Sequence, residues 1–208
     1  MTRWLGVALL PRADHLRSAI RVQQEVAGGH TLQPPLTPEG NLPHTTVFQG
    51  PFLDTLEPDV ELDRIGGALS LPEEIRLHST GVVYQPTGWV FLSLERPPLL
   101  EKLQDVVVGA LAPHLDRDAF DTAKEVSRFT DNERTSYARY GYRYTGEAYT
   151  PHITLGRTEE QAAQALVRDA AARSSVPAAW IFDRLSFYVM GEHGAHAQTL
   201  VERALKRT

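Results

Sequence analysis

The sequence lacks cysteine altogether, and this absence excludes disulfide bonds, thiolate metal sites and a cysteine nucleophile. It also lacks an excess of positive charge, because 21 Lys and Arg residues are outnumbered by 26 Asp and Glu residues. The resulting formal net charge of −5 argues against a broad electrostatic contact with duplex nucleic acid. A small nucleotide or an RNA end is compatible with this charge.

Long apolar runs are absent as well. The N-terminal apolar stretch ends at Pro11, which makes it too short for a membrane span, and no small-residue cleavage pattern accompanies it. We therefore predict no membrane partner and a cytoplasmic location. With 208 residues, of which 42% are hydrophobic, the chain is long enough to bury a substantial core.

Motifs for common cofactors are missing too. The sequence has no G-x-x-x-x-G-K-[ST] loop, no G-x-G-x-x-G run and no acidic metal cluster. His193 and His196 flank Gly194, and we interpret both as residues of an exposed turn rather than metal ligands. The predicted chemistry therefore uses no metal and no cofactor.

One short string occurs twice, as P-H-T-T-V from residue 43 and as P-H-I-T-L from residue 151. Thr, Val and Ile favour strands, and Pro is tolerated at the first residue of a strand. Alternate side chains of a strand share a face, so His44 and Thr46 are expected to point the same way. The same holds for His152 and Thr154. A single H-x-T string is common in strands by chance, but strand propensity gives no reason for Pro-His to precede it twice.

The paired strings suit acid–base chemistry on a phosphate. Imidazole titrates near neutral pH, so one of His44 and His152 can accept a proton while the other donates one. The hydroxyls of Thr46 and Thr154 can bind phosphoryl oxygens and stabilise their charge. Which histidine acts as the base stays open, because it depends on the side at which the leaving oxygen binds.

These motifs resemble those of the 2H phosphoesterases, a family named for two H-x-[ST]-x motifs that includes RNA 2′,5′-ligase-like and cyclic phosphodiesterase proteins. The resemblance rests on six residues, which are His44, Thr46, Val47, His152, Thr154 and Leu155. It extends to the order of elements along nearly the whole chain. The sequence departs from the family in Thr45, where an apolar residue is commoner, and in a longer interval between the motifs.

The order of predicted elements is strand, helix, His strand and hairpin, with a similar order around the second motif. This order indicates an α+β fold of two lobes with antiparallel sheets and flanking helices. The resemblance implies the same fold, with two pseudo-symmetric lobes and the active-site cleft between them. We predict one bilobal domain over residues 1–208. Residues 116–148 are interpreted as irregular, and residues 116–149 as a lid or specificity insertion over the cleft.

The segment before the second motif is rich in tyrosine and arginine. Aromatic rings can stack on bases and guanidinium groups can hold phosphates, so the segment suits nucleotide or single-stranded RNA recognition. The other interpretation is a solvated loop with partly buried tyrosines. The candidate substrate contacts are Tyr149, Tyr144, Arg143 and Phe48. Arg157 lies on the opposite strand face from His152 by alternation, which favours a structural role unless a bulge intervenes.

The favoured hypothesis is a metal-independent phosphoesterase that hydrolyses a cyclic phosphate or a 2′-linked phosphodiester of a nucleotide or RNA end. One alternative is an RNA 2′,5′-ligase-like or 2′,5′-oligonucleotide phosphodiesterase activity. Another is a module that binds a nucleotide without turnover. We predict a monomer. The base preference and the choice between a 2′- and a 3′-phosphate product stay open.

Overall fold

The computed structural model describes residues 1–205. Within them the chain forms seven strands and five α-helices. The strands are β1 (Thr2–Pro11), β2 (Thr45–Leu53), β3 (Ile75–Gln85), β4 (Trp89–Leu94), β5 (His152–Arg157), β6 (Ala179–Met190) and β7 (His196–Ala204). The helices are α1 (Ala13–Ala27), α2 (Pro58–Ala68), α3 (Pro98–Leu111), α4 (Asp131–Tyr140) and α5 (Glu160–Arg173). None of these five helices is both long and apolar enough to cross a membrane.

The strands form two antiparallel layers that are joined at two points. The first lobe has the order β2-β1-β6-β7, and the second has the order β5-β4-β3. β2 meets β5 through the pair Thr45 and Ile153, and β3 meets β6 through the four residues Ile75–His78. The predicted α+β fold with two antiparallel lobes is confirmed.

The lobes do not correspond to the two halves of the sequence. β6, from near the C-terminal end, lies between β1 and β7, so the first lobe draws strands from both ends of the chain. The helices are exchanged as well. α2 and α3 pack mainly against the first lobe, while α1 and α5 pack mainly against β3, β4 and β5 of the second. Each lobe therefore buries its core with segments that are distant in sequence.

The segment 116–148 is more ordered than its polar sequence indicates. It contains α4, which begins with a capping box in which Thr130 accepts from the Glu133 N–H and Glu133 accepts from the Thr130 N–H. The helix ends at Gly141, which adopts a left-handed conformation with φ 66°. The expectation of an irregular segment is therefore wrong for these ten residues. The helix has no strong apolar stripe, so the capping sequence T-x-x-E is the feature of the sequence that indicates where it begins.

Candidate active site

The contact between β2 and β5 brings the two motifs together. Thr45 and Ile153 are paired across the strands, and both side chains are fully buried on the core face. Because side chains alternate along a strand, the neighbours on either side of this pair point to the opposite face. The four predicted side chains all line one cleft, and they are His44, Thr46, His152 and Thr154. The pair 45/153 is thus the centre of a local pseudo-twofold arrangement.

Both motif histidines have the same fixed tautomer. The His44 Nδ1–H donates to the carbonyl oxygen of Leu42, and the His152 Nδ1–H donates to that of Thr150, each over 2.7 Å. A carbonyl oxygen can only accept, so the proton of the neutral ring resides on Nδ1. Each Nε2 therefore keeps a free lone pair, as a general base requires.

Burial keeps both imidazoles neutral. Each histidine is 8% exposed, and desolvation lowers the pKa of His44 and of His152 from the usual 6.5 to about 4. Repulsion from His44, when that ring is protonated, further lowers the pKa of His152. At neutral pH both rings are therefore in the unprotonated form that a general base requires. An anionic phosphate between them would favour the protonated form of one ring and so provide the acid.

A β-bulge follows the first motif. In the β1–β2 ladder Ala8 pairs with Thr46 and Val7 pairs with Phe48, so Val47 is the extra residue. The bulge reverses the alternation, which turns Phe48 into the core and Gln49 toward the cleft. Phe48 is fully buried and does not line the cleft. Its prediction as a substrate contact is therefore wrong, because the bulge turns its side chain away from the face that carries Thr46.

The second motif has a bulge at the equivalent position. In the β4–β5 ladder the residues that pair in succession are Thr154 and Gly156, which leaves Leu155 as the extra residue. Arg157 consequently lines the cleft, although plain alternation places it on the far face. Its position relative to Thr154 matches that of Gln49 relative to Thr46. The arrangement therefore repeats beyond the histidines and threonines, with a cation on one side and an amide on the other.

The cleft has a volume of about 1280 Å³. Residues 121–144 supply one wall, which an ion pair of 2.8 Å between Arg128 and Glu160 joins to the start of α5. Across residues 1–205, no group of three or more His, Cys, Asp or Glu side chains has a geometry that would hold a metal ion. The ionisable pair at the centre of the cleft is thus formed by the two imidazoles.

Residues 11–194 match the family model described as the 2′-5′ RNA ligase superfamily. The chain belongs to this superfamily. Its members are 2H phosphoesterases and RNA ligase-like proteins, which agrees with the family resemblance of the two motifs. No curated protein matches the chain.

Solved structures have a similar fold. LigT of E. coli in complex with NADP+ is 16% identical, with 99% of both chains covered and a TM-score of 0.51. TT0787 of Thermus thermophilus is also 16% identical, with 97% of both chains covered and a TM-score of 0.51. E. coli LigT with 3′-AMP is 17% identical over 99% of this chain and 98% of that chain, with a TM-score of 0.50. At such identities the similarity concerns the fold.

Buried glutamines bind the backbone of both bulges in this superfamily member. Gln104 of α3 donates to the carbonyl of Val47 over 2.9 Å, and Gln23 of α1 donates to that of Leu155 over 2.7 Å. Each amide also holds a second carbonyl and accepts one N–H from the loop behind it. The loop partners are Tyr144 and Gly146 for the first glutamine and Pro34 and Leu36 for the second. Both motifs are therefore fixed from behind by the same kind of contact.

His44 lies beside two aromatic side chains that the motif analysis did not find. Its ring centroid is 5.3 Å from that of Tyr188 and 5.6 Å from that of His196. These two rings are stacked at 4.4 Å, and His196 Nε2 shares a 2.9 Å hydrogen bond with Ser186. His196 is 1% exposed and begins β7, so its interpretation as an exposed turn residue is wrong. Its burial depends on β6, which no local pattern around residue 196 reveals.

His152 has a different setting. It is stacked on Phe91, with centroids 3.9 Å apart and an interplanar angle of 10°, and its edge meets Tyr144 at 5.4 Å. Tyr144 and Arg143 both line the cleft, as the tyrosine- and arginine-rich segment predicts. Arg143 forms an ion pair of 2.7 Å with Glu133, which balances its charge. Their contact with a substrate stays a prediction.

Tyr149 does not line the cleft. It is 3% exposed, its hydroxyl donates over 3.5 Å to the Thr46 carbonyl, and the Arg96 guanidinium carbon is 5.9 Å from its ring centroid. Its assignment as a direct substrate contact is contradicted by this position. The residue precedes β5, which begins only at His152, so its closeness in sequence to the motif does not place it on the same face. The side chain supports the first motif strand from behind.

The neutral histidines predict acid sensitivity. Below pH 6.5 the unfolded chain binds protons at His44 and His152, whereas the folded chain does so only near pH 4. Stability is therefore complete above pH 6.5 and is lost as the pH falls, by about 2 kcal/mol per histidine at pH 5. Urea unfolding between pH 7 and pH 5 measures this loss. The variant His152→Gln should show a shallower dependence, and an unchanged slope would contradict the expectation.

Proposed function

We propose that this 2H phosphoesterase hydrolyses a cyclic phosphate or a 2′-linked phosphodiester of a nucleotide or RNA end, without a metal. The observation that carries the proposal is the pair of imidazoles, His44 and His152, each with Nδ1 bound to a carbonyl and Nε2 free in one cleft. Two matched acid–base groups around one position suit in-line attack on phosphorus.

In this reaction one Nε2 accepts a proton from water, and the water oxygen forms a bond to phosphorus. The bond from phosphorus to a ribose oxygen breaks, and the second imidazole, in its protonated form, donates its proton to that oxygen. The hydroxyls of Thr46 and Thr154 donate to the non-bridging oxygens, where negative charge accumulates. For ligation, the reverse direction, the two histidines exchange roles.

Three features support a nucleotide as the substrate class. Arg157 provides a guanidinium on the second motif strand, just beyond the bulge that follows Thr154. Aromatic side chains line the cleft, among them Trp89 and Tyr144, and aromatic rings suit base stacking. E. coli LigT, a structure with the same fold, was crystallised with NADP+ and with 3′-AMP.

We further propose that residues 116–149 act as a lid over this cleft. The part of this segment that reaches α5 is held by the exposed ion pair between Arg128 and Glu160. The Tyr84 hydroxyl also donates a hydrogen bond to the Glu160 carboxylate. A pair of exposed side chains contributes little to stability, so the part of the segment around Arg128 can move at low cost.

The proposal is tested by phosphorus NMR of 2′,3′-cyclic nucleotides and of a short 2′,5′-linked oligonucleotide incubated with the protein in excess EDTA. Ring opening or cleavage that survives chelation is the expected result, and the phosphate position of the product shows which oxygen leaves. Activity that EDTA abolishes and Mg²⁺ restores would contradict the metal-free mechanism. Bound nucleotide recovered unaltered after long incubation would instead favour a binding module.

A further inference from the structure

We propose that Trp89 is the base-stacking surface of the cleft, so that the nucleoside of the substrate lies on the side of the second motif. This inference rests on the proposed function and specifies where that substrate binds. It follows from a difference between the two sides of the pseudo-twofold cleft, because only one of them leaves space for a base.

The two sides are compared through equivalent strand pairs. β1 lies beside the first motif strand as β4 lies beside the second. Gly6 pairs with Gln49, and Trp89 pairs with Arg157, in both cases just beyond the bulge. Gly6 and Trp89 therefore occupy equivalent positions on the two walls of the cleft.

On the first side a protein ring already fills this position. A Cβ atom on Gly6 would lie 2.6 Å from the Tyr188 ring, so the glycine makes room for that ring. Tyr188 is fully buried, and its hydroxyl donates to Gln49 Oε1 over 3.1 Å. No space for a base remains next to Gly6.

On the second side the indole itself forms the wall. Trp89 is half-buried and lines the cleft. The His193 ring meets it edge-on, with centroids 5.3 Å apart and an interplanar angle of 82°. The Arg157 guanidinium carbon is 5.9 Å from the indole centroid, and Arg157 Nε donates to the Thr87 carbonyl over 2.7 Å. The indole is thus held in place by neighbours while it remains accessible from the cleft.

The distance from the catalytic centre suits a nucleoside. Trp89 lies two residues from Phe91, on which His152 is stacked. Two residues of a strand span about 7 Å, so a base on Trp89 leaves its ribose between the indole and the phosphate at His152. Stacking on one ring tolerates every base, because each base has a π-face. We expect affinity to depend on the presence of a base more than on its identity.

The test compares equilibrium binding of 3′-AMP and of inorganic phosphate by titration calorimetry. Trp89→Ala should weaken 3′-AMP binding by roughly 10- to 100-fold and leave phosphate binding within twofold. Trp89→Phe should recover most of the affinity, because it keeps an aromatic face. The matched control is Trp4→Ala, since Trp4 also borders the cleft but lies on β1 of the first lobe, where it is 44% exposed. It should change neither affinity by more than twofold.

Three results would overturn the inference. They are an unchanged 3′-AMP affinity in Trp89→Ala, an equal loss for phosphate, and a loss that occurs in Trp4→Ala instead. Circular dichroism of each variant confirms that it is folded. Hydrolysis by the wild-type protein in EDTA is a separate measurement, so turnover together with an unaffected Trp89→Ala rejects the stacking surface alone. Absence of both turnover and nucleotide binding rejects the proposed function as well.

Discussion

Replacement of either His44 or His152 by alanine should lower kcat for a cyclic or 2′-linked phosphodiester by about 10²- to 10⁴-fold, which is the range for a lost general acid or base. Each variant removes one of the two imidazoles that line the cleft, and with it the ring nitrogen that is not bound to a backbone carbonyl. Initial rates in excess EDTA measure the effect. The double variant should be little worse than either single one, because the two groups act in the same step.

The control for these variants is His78→Ala. His78 is exposed on β3, and its backbone N–H rather than its ring binds Glu95. Its replacement should leave kcat within twofold. If His44→Ala or His152→Ala retained full activity on a substrate that the wild type turns over, the two-histidine mechanism would be abandoned.

Replacement of the buried glutamines should have the second-largest effect. Gln104→Leu leaves the carbonyls of Val47 and Tyr144 and the N–H of Gly146 without their partner. Unsatisfied buried backbone groups cost about 1 to 3 kcal/mol each, so we expect a loss of roughly 3 kcal/mol or more in the free energy of unfolding. Since the bulge positions the first motif, kcat should fall more than KM changes. Urea unfolding and steady-state kinetics measure the two effects.

Gln23→Leu should act on the second motif in the same way, through the carbonyl of Leu155. The adjacent Gln24 provides a matched control, because it is exposed on the same helix and Gln24→Leu leaves the buried bonds intact. An equal loss of stability in both variants would show that the buried amide has no special effect. Unchanged kcat in a destabilised Gln23→Leu would restrict its effect to stability.

The central pair of motifs could be predicted because its determinants are local. Strand propensity and alternation place His44 and Thr46 on one face, and the duplicated string identifies their counterparts. Alternation fails just beyond each threonine, where Phe48 turns inward and Arg157 turns toward the cleft. A bulge is a property of two paired strands, so the register with β1 or β4 is needed to locate it.

The surroundings of His44 were missed for a related reason. Tyr188 and His196 come from β6 and β7, and Gly6, which makes room for the tyrosine ring, comes from β1. No sequence spacing connects three strands that pair across almost the whole chain. By contrast, the capping box at Thr130 is a local sequence feature from which α4 could be predicted. The helix was missed because its composition is polar.

The placement of β6 has a consequence for synthesis on the ribosome. β1 is made first, but the strand that covers its second edge is completed only when residue 190 has been added. At 5 to 20 residues per second, this edge stays uncovered for roughly 10 to 40 s while the chain grows. An unpaired edge is a template for wrong pairing between neighbouring nascent chains. The yield of correctly folded protein should therefore depend on the speed of translation through the region between β1 and the end of β6.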